Sequence, residues 1–169
     1  MLPAKPDGLG GARPEHLLLE ARAQLRRFRE ILGRLPTHFD SHHHSHRLPA
    51  VLEAVLVLAW ETGLPVRGAS PEVRAQLHRE GIRTTDRFCE EFFGPAATVE
   101  ILCRIIGDVE TGTTELMCHP AVVDDLLRQG SGYAEPRAAE LQALTSADAR
   151  HTLRAAGVKL IDFTALSSS

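Results

Sequence analysis

The stretch Thr37-His-Phe-Asp-Ser-His-His-His-Ser-His46 contains five histidines and one aspartate. Packing alone does not require so many imidazoles in so short a segment. Imidazole and carboxylate groups bind divalent metals and transfer protons near neutral pH. The stretch lies inside the chain, and Asp40 and Ser41 interrupt the histidines, so it does not have the form of a purification tag. We therefore interpret it as a functional segment.

The position of Pro36 predicts how this segment is built. A proline cannot continue the preceding helix, so we expect an extended chain from about Thr37. Alternate side chains of an extended segment share one face, which would place His38, Asp40 and His42 together. An imidazole and a carboxylate at the end of a buried strand suit a hydrolytic metal with one position left for water. The alternative is a polar loop whose histidines face solvent.

Length and composition indicate an ordinary globular protein. The chain has 169 residues, 43% hydrophobic and 24% charged, which is enough for one domain with a sizeable core. A net charge of -3 gives no indication of a nucleic-acid or membrane-surface partner, and we expect neither. The cysteines Cys89, Cys103 and Cys118 are odd in number and have no CxxC spacing. They favour a reduced, cytoplasmic setting.

Helical and extended segments alternate along most of the chain. The Gly- and Pro-rich residues 1–13 predict a flexible lead-in without the apolar run of a signal peptide. Apolar periodicity and helix-end signals predict helices over 14–32, 49–62, 71–79, 97–109, 122–129, 137–144 and 147–156. Extended segments are predicted from about residue 37 and over 64–67, 82–88, 113–118 and 158–161. This alternation is typical of an α/β fold with a parallel sheet, either open or closed as a barrel.

Polar residues lie at or just after the ends of several predicted strands. These residues are Asp40, His42, Arg67, Asp86 and His119. Parallel sheets place functional groups at the carboxyl ends of their strands. We therefore expect the five side chains to converge on one face. That expected convergence is a stronger indication of a site than any single motif.

Three segments of the sequence form a recognisable set. The first is Pro36-Thr-His-Phe-Asp-Ser-His-His-His-Ser-His46, and the second is Glu115-Leu-Met-Cys-His-Pro120. The third is Tyr133 followed by Arg137, Glu140, Leu141, Leu144 and Thr145, and Glu20 and Gln24 fit a further helix pattern. With these segments the chain resembles the YdjC-like carbohydrate deacetylases, which include chitooligosaccharide deacetylases and hopanoid-biosynthesis members. The resemblance covers roughly residues 15–167.

The resemblance implies a distorted TIM-like (β/α) barrel and removal of an N-acetyl group from an amino sugar. It also implies a divalent metal, usually magnesium with zinc as the alternative, held by an Asp and two His, one of which corresponds to His42. The family's D-D-F-G and G-x-H motifs are not found in this sequence. We therefore expect a single truncated deacetylase domain over 14–169 that forms a partial barrel. Such a chain should bind metal weakly, have little or no activity alone and self-associate through an open sheet edge.

Roles follow for four residues. His42 is the predicted metal ligand, Asp40 is a predicted catalytic residue that orients the histidines, and His119 is a predicted acid or oxyanion stabiliser. Arg67 is a candidate for binding sugar hydroxyls. Three of these residues have a simpler alternative, namely a loop hydrogen bond for Asp40, a turn for His119 and a surface ion pair for Arg67. For the whole chain, the alternatives are a non-catalytic remnant that binds a sugar or a partner, and an unrelated metal-binding protein.

Overall fold

The computed structural model describes residues 12–167. The predicted lead-in over residues 1–13 therefore lies almost entirely outside the described residues. The chain divides into two compact units, one formed by residues 12–86 with 161–167 and the other by residues 87–160. Each unit has its own hydrophobic core. The expectation of a single domain over 14–169 stays a prediction.

Three helices form most of the first unit. They are α1 (Pro14–Leu32), α2 (Pro49–Thr62) and α3 (Pro71–Arg79), and each has a proline in its first turn. Proline is favoured there because the first N–H groups of a helix have no partner within it. The first two helices end at Gly33 and Gly63, whose φ angles of 65° and 68° are readily available only to glycine. The helices predicted over 14–32, 49–62 and 71–79 are confirmed.

Helix α2 supplies much of the first unit's core, as its apolar sequence predicted. The buried core residues are Leu52, Leu56, Ala59, Val66, Val73, Leu77 and Ile82. Helix α1 packs on α2, and an Arg22–Glu61 ion pair joins the two helices. No residue of α1 is fully buried, and Leu32 at its end is 50% exposed. The apolar side chains of α1 are therefore only partly covered by the described residues.

The histidine stretch is extended over a shorter length than predicted. One residue pair, Phe39 and Val66, forms a parallel bridge, and the chain then enters a run of 3₁₀ turns over His42–Arg47. The Ser41 hydroxyl accepts the backbone N–H of His46 at 3.0 Å, which turns the chain before a longer strand can form. The prediction that His42 continues the alternation of a strand is therefore wrong.

The second unit contains a small parallel sheet and four helices. Strands β1 (Arg87–Cys89) and β2 (Thr114–Leu116) pair in parallel, with Phe88 opposite Glu115. The helices are α4 (Val99–Gly107), α5 (Asp125–Gly130), α6 (Ala134–Leu144) and α7 (Ala147–Ala155). The fold class is thus α/β, rich in helix, with a small parallel sheet.

The strand predictions in this unit were less accurate than the helix predictions. Strand β1 begins at Arg87, five residues after the predicted start. No strand forms over 158–161, because Val158 packs on the core whereas Leu160 is 77% exposed. The predicted strand there is wrong. Ser146 caps the start of α7, since its hydroxyl accepts the Ala149 N–H at 3.1 Å.

The core of the second unit lies under β2 and between its helices. Its fully buried members are Phe92, Ala97, Leu102, Ile106, Ala143 and Ala149. None of the helices formed by residues 12–167 combines the length and apolarity needed to cross a bilayer.

Candidate functional site

The parallel bridge of the first unit brings two of the predicted site residues together. Asp40 follows Phe39, and Arg67 follows its bridge partner Val66. Arg67 Nη1 lies 2.5 Å from Asp40 Oδ2, and the Ser41 N–H donates to Asp40 Oδ1 at 2.6 Å. The Arg67 side chain is only 16% exposed. The carboxylate is therefore held in place and neutralised, which suits an orienting role better than that of a free base.

His46 fastens the histidine loop to the same place. It is 1% exposed, and its Nδ1 lies 2.5 Å from Ser41 Oγ while its Nε2 lies 3.1 Å from the carbonyl oxygen of Arg67. A carbonyl only accepts, so Nε2 carries the proton and Nδ1 accepts the serine O–H. Burial lowers the pKa of His46, against a smaller opposing effect of Asp40. The neutral ring is thus one of the loop's structural anchors.

The residues between these anchors have an unusual backbone. His43 and His44 have φ angles of 53° and 52°, in the left-handed region that costs an L-residue about 1 kcal/mol or more. The rings of His42 and His43 lie 4.0 Å apart at 50°. Such strain persists only where the surroundings impose it, and it is concentrated at functional sites. The backbone thus supports the interpretation of this loop as functional.

His38 has separate surroundings. Its ring stacks on Phe163 with centroids 3.8 Å apart and planes 8° from parallel, and Thr37 Oγ1 lies 2.9 Å from its Nδ1. Burial lowers its pKa, with Asp40 opposing and Arg67 reinforcing that shift. His38 is therefore engaged by packing on the 3₁₀ turn Phe163–Ser167.

The described residues do not form a complete metal site. Within residues 12–167, no group of three His, Cys, Asp or Glu side chains is arranged to hold an ion. Of the predicted site residues in the first unit, Asp40 is already ion-paired with Arg67, which leaves His42 as the candidate ligand. A catalytic zinc site normally has three protein ligands. The donor set seen here is too small by itself.

His119 is the predicted site residue of the second unit, and a buried carboxylate fixes it. Glu140 has no exposed surface, and it accepts the His119 backbone N–H on Oε2. Its Oε1 accepts the Tyr133 hydroxyl at 2.7 Å and lies 3.8 Å from His119 Nδ1. The His119 side chain is 35% exposed. Glu140 therefore fixes the backbone of His119, while part of the imidazole remains accessible to solvent.

Arg137 completes this arrangement. Its Nη1 donates to the His119 carbonyl oxygen at 3.0 Å, and its guanidinium lies 5.6 Å from the centre of the Tyr133 ring. Tyr133, Arg137 and Glu140 are spaced four and three apart, which places them on one face of a helix. The family pattern contained these residues without giving them roles. Their helical spacing was the sequence signal that the three side chains lie close together. In the structure all three contact His119.

Tyr133 is held at its hydroxyl as well as at its ring. The hydroxyl accepts the Gly94 N–H at 2.6 Å while it donates to Glu140. Burial, followed by the hydrogen bond to Glu140, raises the pKa of Tyr133 to about 12.

The predicted residues form one cluster within each unit. Asp40 and Arg67 are in contact in the first unit, with His42 in the adjoining loop. His119 belongs to the second unit, where it is surrounded by residues of the family's third segment. Asp86 immediately precedes β1, so it lies before the start of a strand and not at the end of one as predicted.

The parallel sheet, the strained histidine loop and the fixed His119 are features of an α/β protein that has a cluster of polar side chains in each unit. The profile of the YdjC family, described as YdjC-like protein, matches residues 4–155. The chain belongs to this family, and the resemblance found in the sequence is confirmed.

Several curated relatives are similar over most of the chain. A carbohydrate deacetylase of Brevibacillus brevis is 40% identical over 165 residues, which is 95% of this chain and 65% of that protein. A chitooligosaccharide deacetylase of Citrobacter koseri is 35% identical over 148 residues, 85% of this chain and 58% of the relative. The chain thus spans about three fifths of the length of these relatives.

A solved structure is also similar. A crystal structure of an Enterococcus faecalis V583 protein, described as a cellobiose-phosphate cleavage protein, superposes with a TM-score of 0.83 at 31% identity. The match covers 92% of this chain and 62% of that one.

The buried neutral His46 predicts a pH dependence of stability. Its folded-state pKa is lowered, so the unfolded chain binds the proton more readily. Its contribution to stability is complete above the unfolded pKa of about 6.5 and is lost as the pH falls through the folded pKa. The free energy of unfolding should therefore decrease from pH 7 to pH 5 in denaturant titrations. His46→Gln should flatten this dependence, whereas the exposed His151→Gln should not; equal slopes would contradict it.

The chain has a single tyrosine, so its titration can be followed directly. Absorbance near 295 nm should show Tyr133 ionising at about 12 in the folded protein. The unfolded chain should titrate near 10. Because the folded pKa is raised, this stabilising contribution is present below about 10 and is lost as the pH rises toward the folded value. Glu140→Gln should lower the midpoint; a folded midpoint near 10 in the unaltered protein would refute the buried arrangement.

Proposed function

We propose that this chain serves the hydrolysis of an N-acetyl group from an amino sugar or chitooligosaccharide. The observation that carries the proposal is its 40% identity to a carbohydrate deacetylase over 95% of its length. The chitooligosaccharide deacetylase of Citrobacter koseri supports the same substrate class. We further propose that the small parallel sheet and the Phe39–Val66 bridge are parts of a distorted (β/α) barrel.

In this proposal the polar clusters have distinct roles. Hydrolysis adds water to the amide carbonyl carbon, breaks the C–N bond, and gives acetate and an amine that takes a proton. The half-exposed imidazole of His119 would supply that proton, since Glu140 fixes its backbone. Arg67 would donate to sugar hydroxyls while Asp40 holds its guanidinium.

We also propose His42 as one ligand of a divalent cation, magnesium or zinc. The other donors would have to come from outside residues 12–167, because this part of the chain has no three-ligand group. The activity of the chain by itself should then be low, and its metal affinity weak.

A second candidate function is sugar binding without chemistry. The incomplete donor set within residues 12–167 favours this candidate. A chain of this kind would bind an acetylated sugar saturably and release no acetate.

Single-turnover acetate release tests the proposal. The chain is mixed in excess over N,N′-diacetylchitobiose with magnesium or zinc, and acetate is measured over hours. We expect release above the uncatalysed background but far slower than the 1–10³ s⁻¹ that is roughly typical of enzymes. Replacement of His42 by Ala should reduce it at least about tenfold, the effect expected for loss of a metal-site interaction.

His151→Ala is the matched control, since it removes an exposed histidine of α7 that belongs to neither cluster. It should leave acetate release unchanged. Saturable binding of the sugar with no release under either metal would contradict the hydrolase and favour the binding remnant.

A further inference from the structure

Two consecutive phenylalanines precede the 3₁₀ turn Gly94–Ala96 and have opposite environments. Phe92 is completely buried in the core of the second unit, whereas Phe93 is 46% exposed. Exposing a large aromatic ring forfeits the favourable free energy of burying it. Neither the fold nor the roles given to His119 explain why this ring remains outside.

The exposed ring is nonetheless held firmly. Phe93 stacks on Tyr133 with centroids 4.5 Å apart and planes 12° from parallel, and the His119 ring centroid lies 5.6 Å from that of Phe93 with the two planes at 74°. Tyr133 in turn is fixed by the buried Glu140 and by the N–H of Gly94, the residue after Phe93. One face of Phe93 is therefore covered while the rest remains open to solvent. A rigid, partly exposed ring binds a ligand at little cost in conformational entropy.

We propose that Phe93 is a stacking platform for a pyranose ring, with His119 at its edge as the polar contact. The choice of a sugar rests on the proposed function, but the platform itself is an additional binding subsite. The C–H groups on one face of a β-linked glucosamine ring carry partial positive charge, and they match the negative face of an aromatic ring. The adjacent imidazole, 35% exposed, can hydrogen-bond a hydroxyl or acetamide oxygen.

The charges nearby favour a neutral sugar over a polyanion. Glu91 lies two residues before Phe93 and is ion-paired with Arg104 at 3.0 Å. The chain carries a net charge of -3. Single-stranded nucleic acids, which also stack on aromatic rings, are bound in positively charged grooves. Arg137, whose guanidinium lies 5.6 Å from the centre of the Tyr133 ring, is engaged with the His119 carbonyl.

Calorimetric titration of the full chain with N,N′-diacetylchitobiose tests the subsite. Phe93→Ala should weaken binding at least about fivefold, the loss expected for one aromatic contact. Phe93→Trp keeps a stacking face and should bind within about twofold of the unaltered chain. Trp60→Ala is the matched control, because it removes a ring that is 54% exposed elsewhere on the chain, and it should not change binding. Cooperative denaturant unfolding with an unchanged m-value verifies that each variant is folded.

Unchanged binding in Phe93→Ala, or equal losses in Phe93→Ala and Trp60→Ala, would overturn the platform and leave the proposed hydrolysis standing. An absence of binding by the unaltered chain at millimolar sugar would also overturn it. Binding that depends on Phe93, combined with no acetate release, would support the platform and reject the hydrolase. The two proposals therefore fail in different experiments.

Discussion

Glu140 is a carboxylate with no exposed surface in a unit of modest size. Removal of a carboxylate from water costs several kcal/mol unless hydrogen bonds replace its hydration. Here the Tyr133 hydroxyl and the His119 backbone N–H supply those bonds. The position of the segment after β2 therefore depends on helix α6, and neither can shift without leaving a charge unsatisfied. The position of His119, the stack of Phe93 on Tyr133 and the Gly94 turn all follow from this constraint.

In the first unit, too, polar side chains that bind the backbone hold neighbouring segments in place. Asp40 binds Arg67 and the N–H of Ser41, and the buried ring of His46 joins Ser41 to the backbone of Arg67. Short pairings, one bridge here and three residue pairs in the second unit, provide few backbone hydrogen bonds. Hydrogen bonds from side chains to the backbone of neighbouring segments take the place of the backbone hydrogen bonds that longer strands would form. The strained turn at His43 is held between such anchors.

The helices were predictable from the sequence because their signals are local. Prolines begin α1 to α3 and glycines end the first two, and each of these residues acts within its own turn. The strands were less predictable, since a three-residue strand has too little length to show alternation. His42 does not continue the predicted strand because the His46 N–H donates to the Ser41 hydroxyl and turns the chain. This hydrogen bond joins residues five positions apart, and hydrophobic periodicity gives no sign of it. The incorrectly predicted strand over 158–161 was apolar in sequence yet lay largely at the surface.

The sequence identified the segments that contain the candidate site residues, but it did not predict which of these residues contact one another. The histidine stretch and the segment before Pro120 identified the family, which the profile match over residues 4–155 confirms. The pairing of Asp40 with Arg67, and the burial of Glu140 beneath His119, join residues more than twenty positions apart. Glu140 has the sequence environment of an ordinary charged helix residue, so its burial depends on tertiary packing. The sequence likewise gave no sign that Phe93 would be exposed while the adjacent Phe92 is buried.

The central claim is that the buried Glu140 is held by the Tyr133 hydroxyl, and the interaction free energy between these two residues tests it most directly. A double-mutant cycle of Glu140→Gln and Tyr133→Phe, followed by denaturant unfolding, isolates the energy of their contact. A hydrogen bond to a buried charge predicts a coupling of about 1.5–3 kcal/mol. Additivity within about 0.5 kcal/mol would mean that the two residues do not interact, and the arrangement built on Glu140 would be wrong.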